Sequence, residues 1–181
     1  RADGDGYLVL EPRVLHAADY GVPQSRERVI FIGIRKSALA PEALEVLTKG
    51  EIPAEYSPYP RPSHGYKAVG EDLAEPQTIG RVFACLQEPE ESDDPAQQVY
   101  SRAKYLGTHC QGQIEVDLAG IGPTIRAEHH GNIEYRRLSK EHGGMKDNEL
   151  NRGLKERRLT PRECALIQTF PLDYEFVIPN G

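Results

Sequence analysis

Gln24, Arg26 and Arg28 are the residues whose types and spacing best fit chemistry on an anion or a nucleotide base. Alternate residues of an extended segment point to the same side, so these three are expected to share one side. Two guanidiniums on one side suit bidentate contacts with a phosphate or a carbonyl oxygen. The alternative is an ordinary surface ion network in which Glu27 pairs with both arginines.

A predicted turn and two predicted strands surround this group. Ala17–Pro23 reads as an exposed turn. Tyr7–Leu10 is a short apolar run, and Val29–Ile34 is a longer, β-branched one. Because Val29–Ile34 is apolar almost throughout, we expect both of its faces to be buried in a sheet. The sequence therefore places the arginines at the rim of a sheet.

Two helices and two loops are predicted between residues 37 and 100. Pro41–Lys49 has helical character and Gly50 as a stop, and Thr78–Gln87 is a second helix candidate. The proline-rich stretch 51–63 is typical of a linker, and the acidic stretch 88–95 of a surface loop. Residues 96–156 hold only short strand-like runs between many glycines.

A helix start is more sharply defined near the end of the sequence. Thr160 fits an N-cap, Pro161 the first helical position, and Glu163 the reciprocal partner of a capping box. Pro171 is expected to end the helix.

Composition limits the class of protein. The net charge of −6 argues against a generic nucleic-acid binder. The charge is uneven, however, with 6 basic and 14 acidic residues in 37–125 but 10 basic and 6 acidic in 126–162. The basic stretch either attracts phosphates or only solvates a surface. Three scattered cysteines and the absence of any long apolar run favour a reducing cytoplasm and no membrane partner.

Two stretches resemble conserved blocks of the cytosine-C5 DNA methyltransferases. Residues 20–33 resemble the eighth block, whose core is Gln-x-Arg-x-Arg, and residues 157–174 resemble the ninth. The resemblance implies that Arg28 reaches a flipped-out cytosine and a nearby phosphate, with Gln24 and Arg26 in support. A fixed cation near the ring would stabilise the charge that develops on it. For Arg162 and Glu163 the resemblance implies a structural junction, held by ion pairing and capping.

A third stretch, 121–125, resembles the family's Pro-Thr-Ile element, which implies that Thr124 lies near the DNA backbone. Side chains that follow it have the donors to read base edges or phosphates. These candidates are Arg126, His129, His130, Asn132, Arg136 and Arg137. The alternative for the histidine pair is an ordinary polar loop. A metal site at His109, Cys110, His129, His130 and His142 is disfavoured because no Cys-x-x-Cys or His-x-x-x-His pair supports it.

The family's Pro-Cys nucleophile, Glu-Asn-Val element and Phe-x-Gly-x-Gly donor loop do not occur in the sequence. We therefore expect an α/β fragment: terminal strands of a Rossmann-like methyltransferase sheet (1–36), a small, mainly β target-recognition domain (37–156) and a junction helix (157–181). S-adenosylmethionine would bind the missing N-terminal catalytic domain, and double-stranded DNA with a flipped cytosine would be the substrate. The fragment is expected to be inactive alone and to derive from a bacterial restriction-modification enzyme. The alternative is a non-catalytic, sequence-specific DNA-binding module or subunit.

Overall fold

The computed structural model describes residues 6–49, 52–103, 115–126, 133–137 and 144–177. They form a small mixed α/β structure with short antiparallel sheets and few helices. The strands are β1 (Tyr7–Val9), β2 (Arg13–His16), β3 (Glu27–Ile30), β4 (Gly33–Arg35), β5 (Glu134–Arg136) and β6 (Arg157–Arg158). The helices are α1 (Pro41–Thr48), α2 (Ile79–Phe83), α3 (Pro95–Gln98), α4 (Asp147–Asn151) and α5 (Pro161–Ile167), with 3₁₀ turns at Ala17–Tyr20 and Lys36–Ala38.

The first four strands form a long two-stranded ribbon. β1 pairs with β4 and β2 with β3, both antiparallel, and Leu10 N–H donates to the Ile32 carbonyl between the two pairs at 2.9 Å. Val9 faces Gly33 and Arg13 faces Ile30, so the three residues 10–12 on one side pass against the two residues 31–32 on the other. This one-residue shift has the form of a β-bulge and changes which side chains face the core.

One face of the ribbon is packed and the other is not. Ile30, Ile32 and Ile34 pack against a small core of Leu10, Leu47 and Tyr59. The opposite face leaves Val29 53% and Phe31 69% exposed, together with Tyr7, Val9 and Val14. The expectation that Val29–Ile34 is buried on both faces is therefore wrong for the described structure. The second face stays exposed because no described element covers it. The single strand predicted over this run is also divided into β3 and β4.

A second, larger core lies under α2 and α5. Its buried members are Ile79, Phe83, Val116, Ile133, Leu159 and Ile167. The predicted helix at Pro41–Lys49 is confirmed by α1, whereas α2 covers only the first half of Thr78–Gln87. Among the described residues, no helix is both long and apolar enough to span a membrane.

Candidate functional site

The segment 22–26 is joined edge to edge with residues 122–124, about a hundred positions later in the chain. Gly122 N–H donates to the Pro23 carbonyl at 2.9 Å, and Ser25 N–H donates to the Gly122 carbonyl at 2.7 Å. The Thr124 hydroxyl also donates to the Ser25 carbonyl. Two of the sequence-predicted groups, the Gln-x-Arg-x-Arg stretch and the Pro-Thr-Ile element, are thus brought into direct contact.

The three side chains of the Gln-x-Arg-x-Arg stretch differ in burial. Gln24 is 2% exposed, Arg26 is half-buried and Arg28 is exposed at the edge of β3. Gln24 is the buried member of the three, and its backbone forms a parallel bridge with Gly122 inside the contact. One Arg28 guanidinium nitrogen donates to the Glu27 carbonyl at 2.6 Å, which fixes the side chain close to the strand.

Glu27 does not form the surface network with Arg26 and Arg28 that the sequence left open. The only ion pair described for its carboxylate is with Lys67, at 2.5 Å from Nζ to Oε1. The Lys67 hydrogen bond is also the main cause that lowers the pKa of Glu27. Among the described residues, neither Arg26 nor Arg28 forms an ion pair with that carboxylate.

Asp19 explains how Lys67 comes to lie there. Its Oδ1 accepts hydrogen bonds from the backbone N–H groups of Tyr66, Lys67 and Ala68, at 3.1, 2.7 and 2.9 Å. Its backbone carbonyl also accepts from the N–H groups of Ser63 and His64. The loop 63–68 thus covers the stretch 17–23. A turn is present at Ala17–Tyr20, but the prediction that it is exposed is wrong, and Asp19 itself is 7% exposed.

The charged state of Asp19 is favoured by this arrangement. Burial by itself raises the pKa of the carboxyl. The three backbone N–H donors outweigh that effect, and the pKa lies below its ordinary value.

Glycines 21 and 122 are required by close approach. Gly21 has φ +82°, and a Cβ there would lie 2.7 Å from the His64 ring. A Cβ on Gly122 would lie 2.9 Å from Ile79 Cδ1 and 3.2 Å from the Pro23 carbonyl oxygen. These positions therefore hold the Gln-x-Arg-x-Arg stretch tightly against the rest of the chain.

Arg136 and Arg137 were expected to touch DNA, but the structure places them in the interior. They are 0% and 1% exposed, respectively. Arg136 donates to Glu149 at 2.8 Å and to Glu88 at 2.7 Å. Burial lowers its pKa, but these carboxylates outweigh burial and raise it. Arg136 cannot reach a phosphate without leaving its two carboxylates, and Arg137 is buried 3.6 Å from the Glu134 carboxylate, so both arginines are withdrawn from the candidate interface.

The capping box predicted at the start of α5 is present. The Thr160 hydroxyl accepts from Glu163 N–H at 3.1 Å, and Glu163 Oε2 accepts from Thr160 N–H at 2.9 Å. Both terminal nitrogens of Arg157 also donate hydrogen bonds to the Glu163 carboxylate, at 2.8 Å each. One carboxylate therefore caps the helix and forms a buried bidentate ion pair.

Two further contacts join α5 to α3 and its N-cap. The Thr160 hydroxyl donates to Gln97 Oε1 at 2.6 Å, and Arg162 Nε donates to Asp94 Oδ2 at 2.5 Å. Arg162 and Glu163 thus both form ion pairs, and Glu163 also caps α5.

The structure describes one of the four remaining DNA-binding candidates. Arg126 is exposed at the end of a described segment, and His129, His130 and Asn132 lie outside the described residues. No group of three or more potential metal ligands occurs within the part of the chain that the structure describes. Asp19, Lys67 and Gln97 are contributors that sequence reasoning missed, because a single Asp, Lys or Gln between loops carries no local pattern.

The sequence profile of the family described as C-5 cytosine-specific DNA methylase matches residues 3–180. This chain belongs to that family. It is 32% identical over 177 residues to Type II methyltransferase M.BspRI of Lysinibacillus sphaericus, covering 94% of this chain and 35% of that protein. It is 29% identical over 177 residues to Type II methyltransferase M.BsuRI of Bacillus subtilis, covering 94% of this chain and 34% of that protein. It is 31% identical over 193 residues to Type II methyltransferase M.PspPI of a Psychrobacter species, covering 94% of this chain and 40% of that protein.

The chain thus spans between about a third and two fifths of the length of the curated relatives it matches.

Proposed function

We propose that this chain is the DNA-recognising, C-terminal part of a cytosine-C5 DNA methyltransferase of a bacterial restriction-modification system. In this proposal residues 1–36 complete the Rossmann-like catalytic domain, 37–156 form the target-recognition domain and 157–181 return to the catalytic domain. The complete polypeptide transfers a methyl group to C5 of a cytosine flipped out of double-stranded DNA. The chain alone is inactive.

The observation that carries the proposal is the contact between the Gln-x-Arg-x-Arg stretch and residues 122–124. In the family resemblance, the first group lines the pocket for the base and the second lies near the DNA backbone. Their hydrogen bonds, from Gly122 to Pro23 and from Ser25 to Gly122, hold the two groups side by side. A flipped base and the phosphates beside it require such an adjoining pair.

Arg28 has the role closest to the chemistry. Attack of a thiolate on C6 of cytosine places negative charge on the ring, and a fixed cation stabilises that charge. Arg28 is exposed, and its hydrogen bond to the Glu27 carbonyl limits its freedom before substrate arrives. Gln24 and Arg26 support the segment that leads into β3, which carries Arg28.

S-adenosylmethionine supplies the methyl group when bound. The sequence contains no Phe-x-Gly-x-Gly loop, so we assign none of its residues to the methyl donor. In the proposal the donor site belongs to the rest of the complete polypeptide.

The uncovered face of the β-ribbon supports a second part of the proposal. Val29 and Phe31 belong to a group of five large apolar side chains, each more than half exposed. A contiguous apolar face of this kind marks a surface that another element covers. We propose that the rest of the catalytic domain covers it.

The test is Arg28→Ala in the complete methyltransferase polypeptide. We expect the turnover number for methyl transfer to fall by about 10² to 10³-fold, because the contact is strongest in the transition state, and DNA affinity to fall far less. Radiolabelled methyl incorporation and DNA-binding titrations measure the two quantities. Arg81→Ala, an exposed arginine on α2, is the matched control.

Equal losses of turnover and affinity would make Arg28 only a phosphate anchor. Methyl transfer by the purified chain alone would contradict the assignment of the nucleophile to another part of the polypeptide. Absence of methyl transfer by the complete polypeptide, combined with sequence-specific binding, would favour the DNA-binding module instead.

A further inference from the structure

Glu27 is the only acidic residue between positions 20 and 35, and it lies between the two arginines of the candidate site. The Arg28 guanidinium donates to the backbone carbonyl of Glu27 at 2.6 Å, so it lies within roughly one Debye length of the carboxylate of the same residue. An uncompensated negative charge at this place would oppose binding of a DNA phosphate.

Lys67 supplies a compensating charge, with its ammonium 2.5 Å from the Glu27 carboxylate. Both side chains are at least half exposed, at 57% and 50%, so the pair contributes little to the stability of the fold. Stability of the fold is therefore not what this pair mainly provides.

The backbone of Lys67 is fixed more firmly than its side chain. Its N–H donates to the buried Asp19 carboxylate at 2.7 Å, and the flanking N–H groups of Tyr66 and Ala68 donate to the same oxygen. Close packing of His64 against Gly21 holds the other end of the same loop. The loop thus delivers one cation to a set position beside Glu27.

We propose that Lys67 is a positioning residue that cancels the charge of Glu27 and so keeps the surface around Arg26 and Arg28 attractive to DNA phosphate. The inference rests on the proposed function. It assigns to Lys67 no contact with the base or with the reacting atoms.

The test is a charge cycle in the complete methyltransferase polypeptide, read as kcat/KM for methyl transfer at low and high salt. Lys67→Met is expected to lower kcat/KM about two- to fivefold at low salt, the size of one exposed ion pair. The loss is expected to shrink at high salt because screening weakens it. The double variant Glu27→Gln with Lys67→Met has the same local net charge as the natural protein and is expected to return to its kcat/KM.

Lys67→Arg keeps the charge and is expected to remain close to the natural kcat/KM. Lys49→Met is the matched control, since it removes an exposed ion pair with Glu45 on α1. Thermal unfolding of each variant shows whether the fold is retained.

Two results would overturn the inference. One is a double variant that stays as slow as Lys67→Met, which would mean that Lys67 touches the phosphate itself. The other is a Lys67→Met variant as fast as the natural protein at low salt. If the natural polypeptide transfers methyl groups, either result overturns only this inference and leaves the proposed function intact. If the natural polypeptide transfers none, the proposed function itself is contradicted.

Discussion

At the scale of single residues, Asp19 holds together two loops that are far apart in sequence. Its carboxylate and its carbonyl accept five backbone N–H groups from residues 63–68. Hydrogen bonds to a charged acceptor are stronger than those between neutral groups. Asp19 therefore holds the loop 63–68 against the turn that precedes the Gln-x-Arg-x-Arg stretch.

Asp19→Asn should destabilise the chain by about 1–3 kcal/mol at pH 7, since the amide is a weaker acceptor for three N–H groups. Asp19 has a folded-state pKa below its ordinary value of 3.8, so its charge stabilises the fold above the pKa of the unfolded chain. That stabilisation is lost as the pH falls through the lower, folded-state pKa. The difference between the two proteins should therefore shrink below about pH 4.

Urea unfolding at a series of pH values measures this difference. Asp72→Asn, in the exposed part of the same region, is the control and should change little. A difference that does not depend on pH would show that the charge of Asp19 is not what matters.

Arg28 is exposed and Arg136 is buried, and residue types alone do not predict this difference. Both are arginines in stretches with positive neighbours, and sequence reasoning assigned both to DNA. The partners that bury Arg136, Glu88 and Glu149, lie 48 and 13 positions away. No local pattern reports such long-range pairing, which is why the burial of Arg136 and Arg137 was not foreseen.

At the scale of elements, α5 is the part whose sequence and structure agree most closely. The cap, the proline at the first turn and the reciprocal glutamate are all local features, and the structure confirms each. Long-range contacts then add Arg157 and Gln97 to the same cap. The local signal defines where the helix begins, and the distant residues hold it in the fold.

Thr160→Ala should cost about 1–2 kcal/mol, the usual range for loss of a helix N-cap, with the bond to Gln97 placing it towards the upper end. The measurement is the free energy of unfolding by denaturant. Thr48→Ala is the control, because the Thr48 hydroxyl bonds only to carbonyls of its own helix. A loss at Thr160 no larger than that at Thr48 would contradict the importance of the cap.

At the scale of the whole molecule, the uncovered ribbon face is the main departure from a self-contained fold. The apolar run Val29–Ile34 predicts a partner on each side. The described residues supply a partner for only one side, at the core of Leu10, Leu47 and Tyr59. Hydrophobicity along a strand thus predicts the demand for burial but not which part of a polypeptide meets it.

Phe31→Lys should lower self-association of the chain without lowering its stability by more than about 0.5 kcal/mol, because the ring is 69% exposed. Sedimentation velocity and denaturant unfolding measure the two effects. Val69→Lys is the control, since Val69 is fully exposed but lies outside the ribbon. A loss of stability like that of a core substitution would mean that the face is covered within the chain itself.

Gly122 has a consequence for the order in which the molecule folds. It lies where the Pro23 carbonyl, Ile79 and Ile167 meet, and Thr124 beside it reaches the Ser25 carbonyl across 99 positions. Contacts of such long sequence separation carry a large loop-closure cost that local helices do not. The segment Pro23–Ser25 is therefore expected to reach its final shape only after the distant segments have docked, whereas α1 and α5 can begin to form early.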